Sequence, residues 1–246
     1  MVAVQTQPSI ALVLGAGRGV VLTGAQRSFD DPAPDGPHNL RAAFAMARCE
    51  HARELGPLVA FDGQGFQARG VRKVETLRTS AFDAPGAGAV MCMWGDAPRL
   101  ISRGHVVRPL AGLVDALVSL PDEEPFVPVV PMLPGSSGTA LRAILAAKPA
   151  AVVLQAMGSG NASPGDVEVA SRLAIDGLPV LVTSRVPRGS VRPIYADAGA
   201  KLAESGALFC DDLSPWQARV LAAACVIAHP SDPLAAASQW LTADRP

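Results

Sequence analysis

The sequence predicts an α/β protein with parallel β-sheet, and three observations carry the prediction. Residues 150–185 read as strand, glycine loop, helix, strand: the apolar runs 151–154 and 179–183 are rich in Val and Leu, bounded by turn residues, and separated by enough chain for one crossover helix. The same alternation continues on either side, with a strand at 127–131 before a helix at 137–147 and a strand at 207–210 before a helix opening at 213. Hydrophobic residues make up 49% of the chain but aromatic ones only 4%, so the core has to be built from Ala, Val and Leu, as suits sheets covered by close-packed helices.

From the amino end, residues 9–14 are apolar, GAGRG follows, and 19–23 is a strand. A dinucleotide fingerprint needs a strand before its glycines and a helix after them, whereas here an apolar β-branched run follows, so GAGRG reads as a loop with Gly15 stopping a helix. The segment TGAQRSFDDPAPDGP (23–37) is rich in Asp, Pro and Gly, which predicts a long ordered loop at the carboxyl end of the strand, the kind of loop that carries function. A helix is expected over 39–55, a strand over 57–61, and a β-rich excursion with closely spaced glycines over 61–90. Arg69, Arg72, Lys73 and Arg78 within it read as a solvated face. From 91 to 131 no period holds and prolines punctuate the text, which puts an interdomain linker at about 95–124.

In the central unit, Gly158, Ser159, Gly160 and Asn161 free the backbone for positive φ at the carboxyl end of the first strand, where open α/β sheets bind ligands. Ser163 is the expected helix cap, Pro164 sits at the first helical position, and Asp166 and Glu168 place negative charge in the first turn. Val167, Val169, Ala170, Leu173 and Ala174 form the stripe that lies on the sheet, and Gly177 ends the helix. A turn-rich loop after Arg185 leads to a helix over 198–205. Leu213-Ser214-Pro215 opens the last helix by the same serine-then-proline device, and it runs to Ile227.

Composition excludes several classes of function. The formal net charge is −1 and no Lys/Arg cluster occurs, so the footprint of a nucleic-acid binder is missing. No run approaches the ~20 apolar residues of a membrane span, and the first residues lack the basic segment of a secretory leader, so the chain reads as cytoplasmic. Cys49, Cys92, Cys210 and Cys225 are scattered without Cys-x-x-Cys spacing, and the four histidines do not cluster with them. They read as small core residues; neither a metal nor a cofactor is expected. Partners are small molecules or copies of the chain itself.

Six segments in order, VVLTGAQR (20–27), DGPHNL (35–40), ARGVRKVET with AFDAP (68–85), GSGN (158–161), PVLVTSRVPRG (179–189) and DLSPWQARVLAAA (212–224), together resemble the bacterial-type L-asparaginase/glutaminase amidohydrolases over nearly the whole chain. The resemblance implies two Rossmann-like or flavodoxin-like αβα domains of the asparaginase type, the amino-terminal one incomplete: residues 1–124 with the linker, and residues 125–246. It implies hydrolysis of L-asparagine to L-aspartate and ammonia, a small-molecule amide substrate, no cofactor, and a homodimer or homotetramer whose site lies between the amino-terminal domain of one subunit and the carboxy-terminal domain of another.

The family is known for a TGGT motif and an HGTDT motif ahead of the segment matched by Val20, and neither occurs here. Amide hydrolysis needs a nucleophile, a base and donors for the developing oxyanion, so no complete catalytic set is expected and the chain is expected to be truncated and inactive as it stands. In-frame codons for both motifs upstream of Met1 fit a start set too late; a stop codon there fits the alternative, a non-catalytic amino-acid-binding or interface protein of the same fold. The family lysine that serves proton transfer falls, on this resemblance, at Arg18. A guanidinium can position a carboxylate but is a poor base; the other reading of Arg18 is a surface loop residue. Asn161 matches the asparagine that reaches into the neighbouring subunit's substrate site, its other reading being a turn and cap residue. The acidic residue that some members contribute from the loop near Tyr195 is not matched to one position, since Ala196 and Asp197 both fall there.

Overall fold

The computed structural model describes residues 11–14, 16–106, 108–119 and 124–243, in two compact units, Met1–Pro109 and Leu110–Pro246. Residues 11–14 are helical, while Ser9, Ile10 and Gly15 lie outside the described residues.

In the first unit the strands are β1 (Val21–Leu22), β2 (Leu58–Phe61), β3 (Gln64–Gln67), β4 (Arg72–Lys73), β5 (Phe82–Asp83), β6 (Met91–Trp94) and β7 (Ala97–Leu100). Five form one sheet in the order β1-β2-β3-β6-β7, with β4 and β5 as a separate hairpin. Only β1 and β2 are parallel, Val21 opposite Leu58; the remaining pairs are antiparallel. All of β2 is buried because both its faces are covered. Leu58 and Ala60 pack with Ala43 and Met46 of α1 (Gly36–Arg48) and with Ala52 and Leu55 of α2 (Glu50–Leu55), whereas Val59 packs with Phe66, Val71 and Ala84. The Asp62-Gly63 turn has φ of 50° and 72°, the pair of left-handed residues that a two-residue hairpin needs.

Several expected elements differ. The single helix over 39–55 is two helices, broken at Cys49, whose extended backbone (ψ 135°) turns α2 so that Ala52 and Leu55 reach β2. Residues 91–100, where the sequence shows no clear period, form a hairpin, with the Arg99 guanidinium 5.2 Å from the Trp94 ring centroid. The basic residues of the β-rich excursion do not share a solvated face: Arg78 is exposed, but Arg69 is only 9% exposed and Arg72 and Lys73 are half-buried.

The second unit contains α3 (Leu113–Val118), β8 (Val129–Pro131), α4 (Thr139–Leu145), β9 (Val152–Ala156), α5 (Pro164–Ile175), β10 (Val180–Ser184), α6 (Lys201–Glu204), β11 (Leu208–Phe209), α7 (Pro215–Ala228) and α8 (Pro233–Thr242). Its four strands are all parallel and lie side by side in chain order. Crossovers between adjacent parallel strands share one hand, so α4, α5 and α6 come to one face. There Leu141, Val167, Ala170, Leu173 and Leu202 pack on Val152, Leu154, Val180 and Val182. Helix α7 covers β9 and β10 and packs in turn against α3 and α8. Each fully buried leucine here, such as Leu154 or Leu181, contributes about 1.5–3 kcal/mol of burial free energy.

Two helix starts depart from expectation. Helix α4 begins after Gly138 in the left-handed region (φ 80°), not at a serine cap, because the Ser137 hydroxyl bonds Thr139 Oγ1 instead. Ser163 stands at the N-cap of α5, yet its hydroxyl donates to the Leu133 carbonyl (2.7 Å) and ties the β8–α4 loop to α5. The capping box of α7 is complete, Ser214 accepting from the Gln217 amide and the Gln217 side chain accepting from Ser214. The helix expected over 198–205 starts with a π-type turn, Ala196–Ala200, before α6. Among the described residues no helix is long and apolar enough to cross a membrane.

Candidate functional site

In the first unit the TGAQR loop leaves the carboxyl end of β1, and DGPHNL clamps it. Thr23 Oγ1 donates to the Ala60 carbonyl (2.7 Å). The Asp35 carboxylate accepts the backbone N–H of Gln26 on both oxygens (3.0 Å each) and that of Arg27 (2.9 Å). Asn39, buried at 1% exposure, donates through Nδ2 to the Gly24 carbonyl (3.0 Å) and to Asp35 (3.2 Å) and accepts the Asp62 N–H (3.0 Å) on Oδ1. Burial works to raise the pKa of Asp35, but the Arg27 and Gln26 amides and the Asn39 side chain outweigh it and hold the carboxyl below the ordinary range. Asp35 occupies the N-cap position of α1 without capping it; its oxygens are spent on the loop.

The loop then reaches the β4–β5 hairpin through Gln26. Its Nε2 donates to the carbonyls of Thr76 (3.0 Å) and Arg78 (3.1 Å), and its Oε1 accepts from Lys73 Nζ. Lys73 is the single lysine of the first 109 residues. It is half-buried, at the same end of β1 as the loop. Arg18 stands at the opposite, amino end of that strand, exposed, and its side chain makes no hydrogen bond or ion pair among the described residues.

In the second unit GSGN follows β9 directly. Gly158 and Gly160 have φ of 52° and 109°, and a Cβ on Gly160 would meet the Phe209 ring at 2.6 Å. Met157 and Asn161 exchange backbone hydrogen bonds (2.8 and 2.7 Å), closing the loop on itself. Half-buried Asn161 accepts the Ala162 N–H on its own Oδ1 (2.9 Å), while its side-chain amide nitrogen donates to no group among the described residues. Asn161 therefore combines a turn-forming oxygen with a donor left over. The loop after β10 hangs on the same glycines: Ser184 Oγ donates to the Gly158 carbonyl (2.6 Å), and the Arg192 N–H reaches Ser159 Oγ (3.0 Å). Tyr195, Ala196 and Asp197 are exposed where this loop enters the π-type turn. Among the described residues no cluster of three or more His, Cys, Asp or Glu could hold a metal ion.

In each unit taken by itself, a glycine-containing loop follows the carboxyl end of a parallel strand, the TGAQR loop after β1 and GSGN after β9, which is the loop placement of the open α/β class. Residues 6–103 match the asparaginase amino-terminal domain family, and residues 126–235 match the glutaminase/asparaginase C-terminal domain family. The chain is 34% identical over 220 residues to a probable L-asparaginase of Deinococcus radiodurans, covering 85% of this chain and 63% of that protein. It is 28% identical over 211 residues to a glutamyl-tRNA(Gln) amidotransferase polypeptide of Pyrococcus abyssi, covering 83% and 47%. The crystal structure of a probable cytoplasmic L-asparaginase from Campylobacter jejuni superimposes with a TM-score of 0.82 at 26% identity, covering 97% of this chain and 76% of that one. The chain belongs to the asparaginase/glutaminase family, and it spans less than two thirds of the length of these two sequence relatives.

Lys73, inside ARGVRKVET, is the one lysine before residue 148; the sequence reads it as part of a solvated face, and its contact with Gln26, 47 positions away, appears only in the folded chain.

Proposed function

We propose that the chain supplies the asparaginase-type amide-hydrolase scaffold, acting on L-asparagine or a related amide, with Lys73 as its proton-handling group and Asn161 directed to the site of a neighbouring subunit. The observation that carries this reading is the Lys73 ammonium held by Gln26 at the carboxyl end of β1, where the loop clamped by Asp35 and Asn39 lies. An amine can release and recover a proton during hydrolysis; the guanidinium of Arg18 cannot, and it stands at the other end of the strand. The amide nitrogen of Asn161 suits a substrate carboxylate or carboxamide oxygen.

Residues 1–246 contain neither TGGT nor HGTDT, so on this reading they bind and position but lack the nucleophile. By themselves they release ammonia from asparagine and glutamine at background rates. Fusion to an amino-terminal segment of a family asparaginase carrying both motifs supplies hydrolysis, which Lys73→Met abolishes and Arg18→Met leaves in place. A Lys73→Met fusion as active as its parent refutes the assignment. Calorimetric binding of asparagine or aspartate to residues 1–246, with no turnover in any fusion, supports instead a non-catalytic amino-acid-binding protein of the same fold.

A further inference from the structure

We infer that Gln26 is the positioning residue for Lys73, orienting the ammonium through a neutral acceptor; the inference rests on the assignment of Lys73 above. A carboxamide can be built either way round, but here its environment decides. Two main-chain carbonyls, of Thr76 and Arg78, stand at 3.0 and 3.1 Å from one end, and carbonyls accept only, so that end is the NH2 group. The other end is then oxygen, and it faces Lys73 Nζ.

The carboxamide is fixed at its root as well. Both the Gln26 and the Arg27 backbone amides are held by Asp35, and Asp35 is held by Asn39. A chain of hydrogen bonds thus runs from α1 through the loop after β1 to the single lysine of the unit. Lysine carries four rotatable bonds, and an unanchored ammonium at a half-buried site samples many positions. Gln26 limits that freedom. A glutamate of the same length would anchor as well, but at contact distance its opposite charge would add to the lysine's hold on its proton. It would also set a carboxylate against the Thr76 and Arg78 carbonyls. A neutral acceptor orients the group without that added retention, which suits a lysine that has to pass a proton on.

The test is trace acylation of the native 246-residue chain with acetic anhydride across pH 6–11, quantified by peptide mass spectrometry. The chain's three lysines are Lys73, Lys148 and Lys201, resolved from the α-amine by peptide; the last two are exposed and lie in the other unit, so they are internal standards. Lys73 is expected to react about fivefold more slowly than the standards, the measure of one net hydrogen bond plus partial burial. Gln26→Met keeps the side-chain length and removes both hydrogen-bonding ends; it brings Lys73 to within about twofold of the standards. Gln26→Glu slows Lys73 by a further factor of about ten and moves the midpoint of its profile to higher pH. Gln26→Ala serves as a second neutral variant, and tryptophan fluorescence with the standards' rates shows that each variant is folded. Lys73 profiles that coincide in the parent, Gln26→Met and Gln26→Glu overturn the inference. Because no turnover is read, that result leaves the hydrolytic assignment of Lys73 to its own test in the fusion.

Discussion

Replacing Asp35 by alanine removes the clamp on the TGAQR loop, and the structure sets the size of the effect. Three donors lose their acceptor: the half-buried Gln26 amide, which touches both carboxylate oxygens, the exposed Arg27 amide, and one of the two contacts of Asn39 Nδ2. Hydrogen bonds to a charged acceptor are worth about 1.5–3 kcal/mol when buried and neutral ones about 0.5–1.5, and the exposed Arg27 amide recovers most of its loss from water. Asn39 keeps the Gly24 carbonyl. The Gln26 contact therefore dominates, and the sum is about 2–3 kcal/mol, with a few tenths more from losing a carboxylate at the start of α1. Urea unfolding followed by circular dichroism, with hydrogen exchange of the Gln26 and Arg27 amides, measures it. Both amides should lose protection before β2 does.

The same carboxylate dictates the pH dependence. Its native pKa lies below the unfolded value, so its contribution is complete above about pH 4–5, where the unfolded carboxyl is ionised, and disappears as pH falls through the lower native value. The stability difference between parent and Asp35→Ala should accordingly be flat from pH 8 to 5 and shrink on further acidification. A midpoint unmoved by Asp35→Ala at neutral pH, or a difference that grows on acidification, refutes the reasoning.

Two further outcomes can be measured directly. Gly165→Ala, a change that in an open helix gains up to ~1 kcal/mol, should destabilise the second unit by about 1–3 kcal/mol, because the new Cβ would lie 2.7 Å from Ser137 Cα and C. Relief by shifting that loop strains the 2.7 Å bond from Ser136 Oγ to buried Asp166, so a Ser136→Ala, Gly165→Ala double-mutant cycle should be non-additive; a stabilised Gly165→Ala protein contradicts this. Burial holds the Cys210 thiol far above its ordinary range, with Cys225 and Asp211 adding to it, and pushes Cys225 up to about 12, whereas Cys49 and Cys92 are half-exposed. Iodoacetamide at pH 8 should therefore modify Cys49 and Cys92 in the native chain and reach Cys210 and Cys225 only on unfolding; equal rates at all four refute the burial argument.

The sequence by itself determined the parallel unit around residues 150–185 and the α7 cap, because those depend on neighbours a few positions apart. A run of valines buried on both faces, two glycines where φ must be positive, proline after serine: each is a local constraint that reads the same in any tertiary setting. The family was legible for the same reason, as ordered short segments. Tertiary structure alone decided which polar groups meet. Ser163 looked like a cap, yet the Leu133 carbonyl, 30 positions away, offered its hydroxyl a better partner. Asp35 had the position of a cap for α1, but two loop amides reached it. Arg69 and Lys73 looked like solvated charge because an alternating segment gives no sign of the side chain that will cover it; Lys73 is met by Gln26 across 47 residues. Backbone periodicity follows from steric rules between near neighbours, whereas the partner of a hydrogen-bonding side chain is chosen by whichever donor or acceptor the folded chain brings within about 3 Å, and no local pattern encodes that.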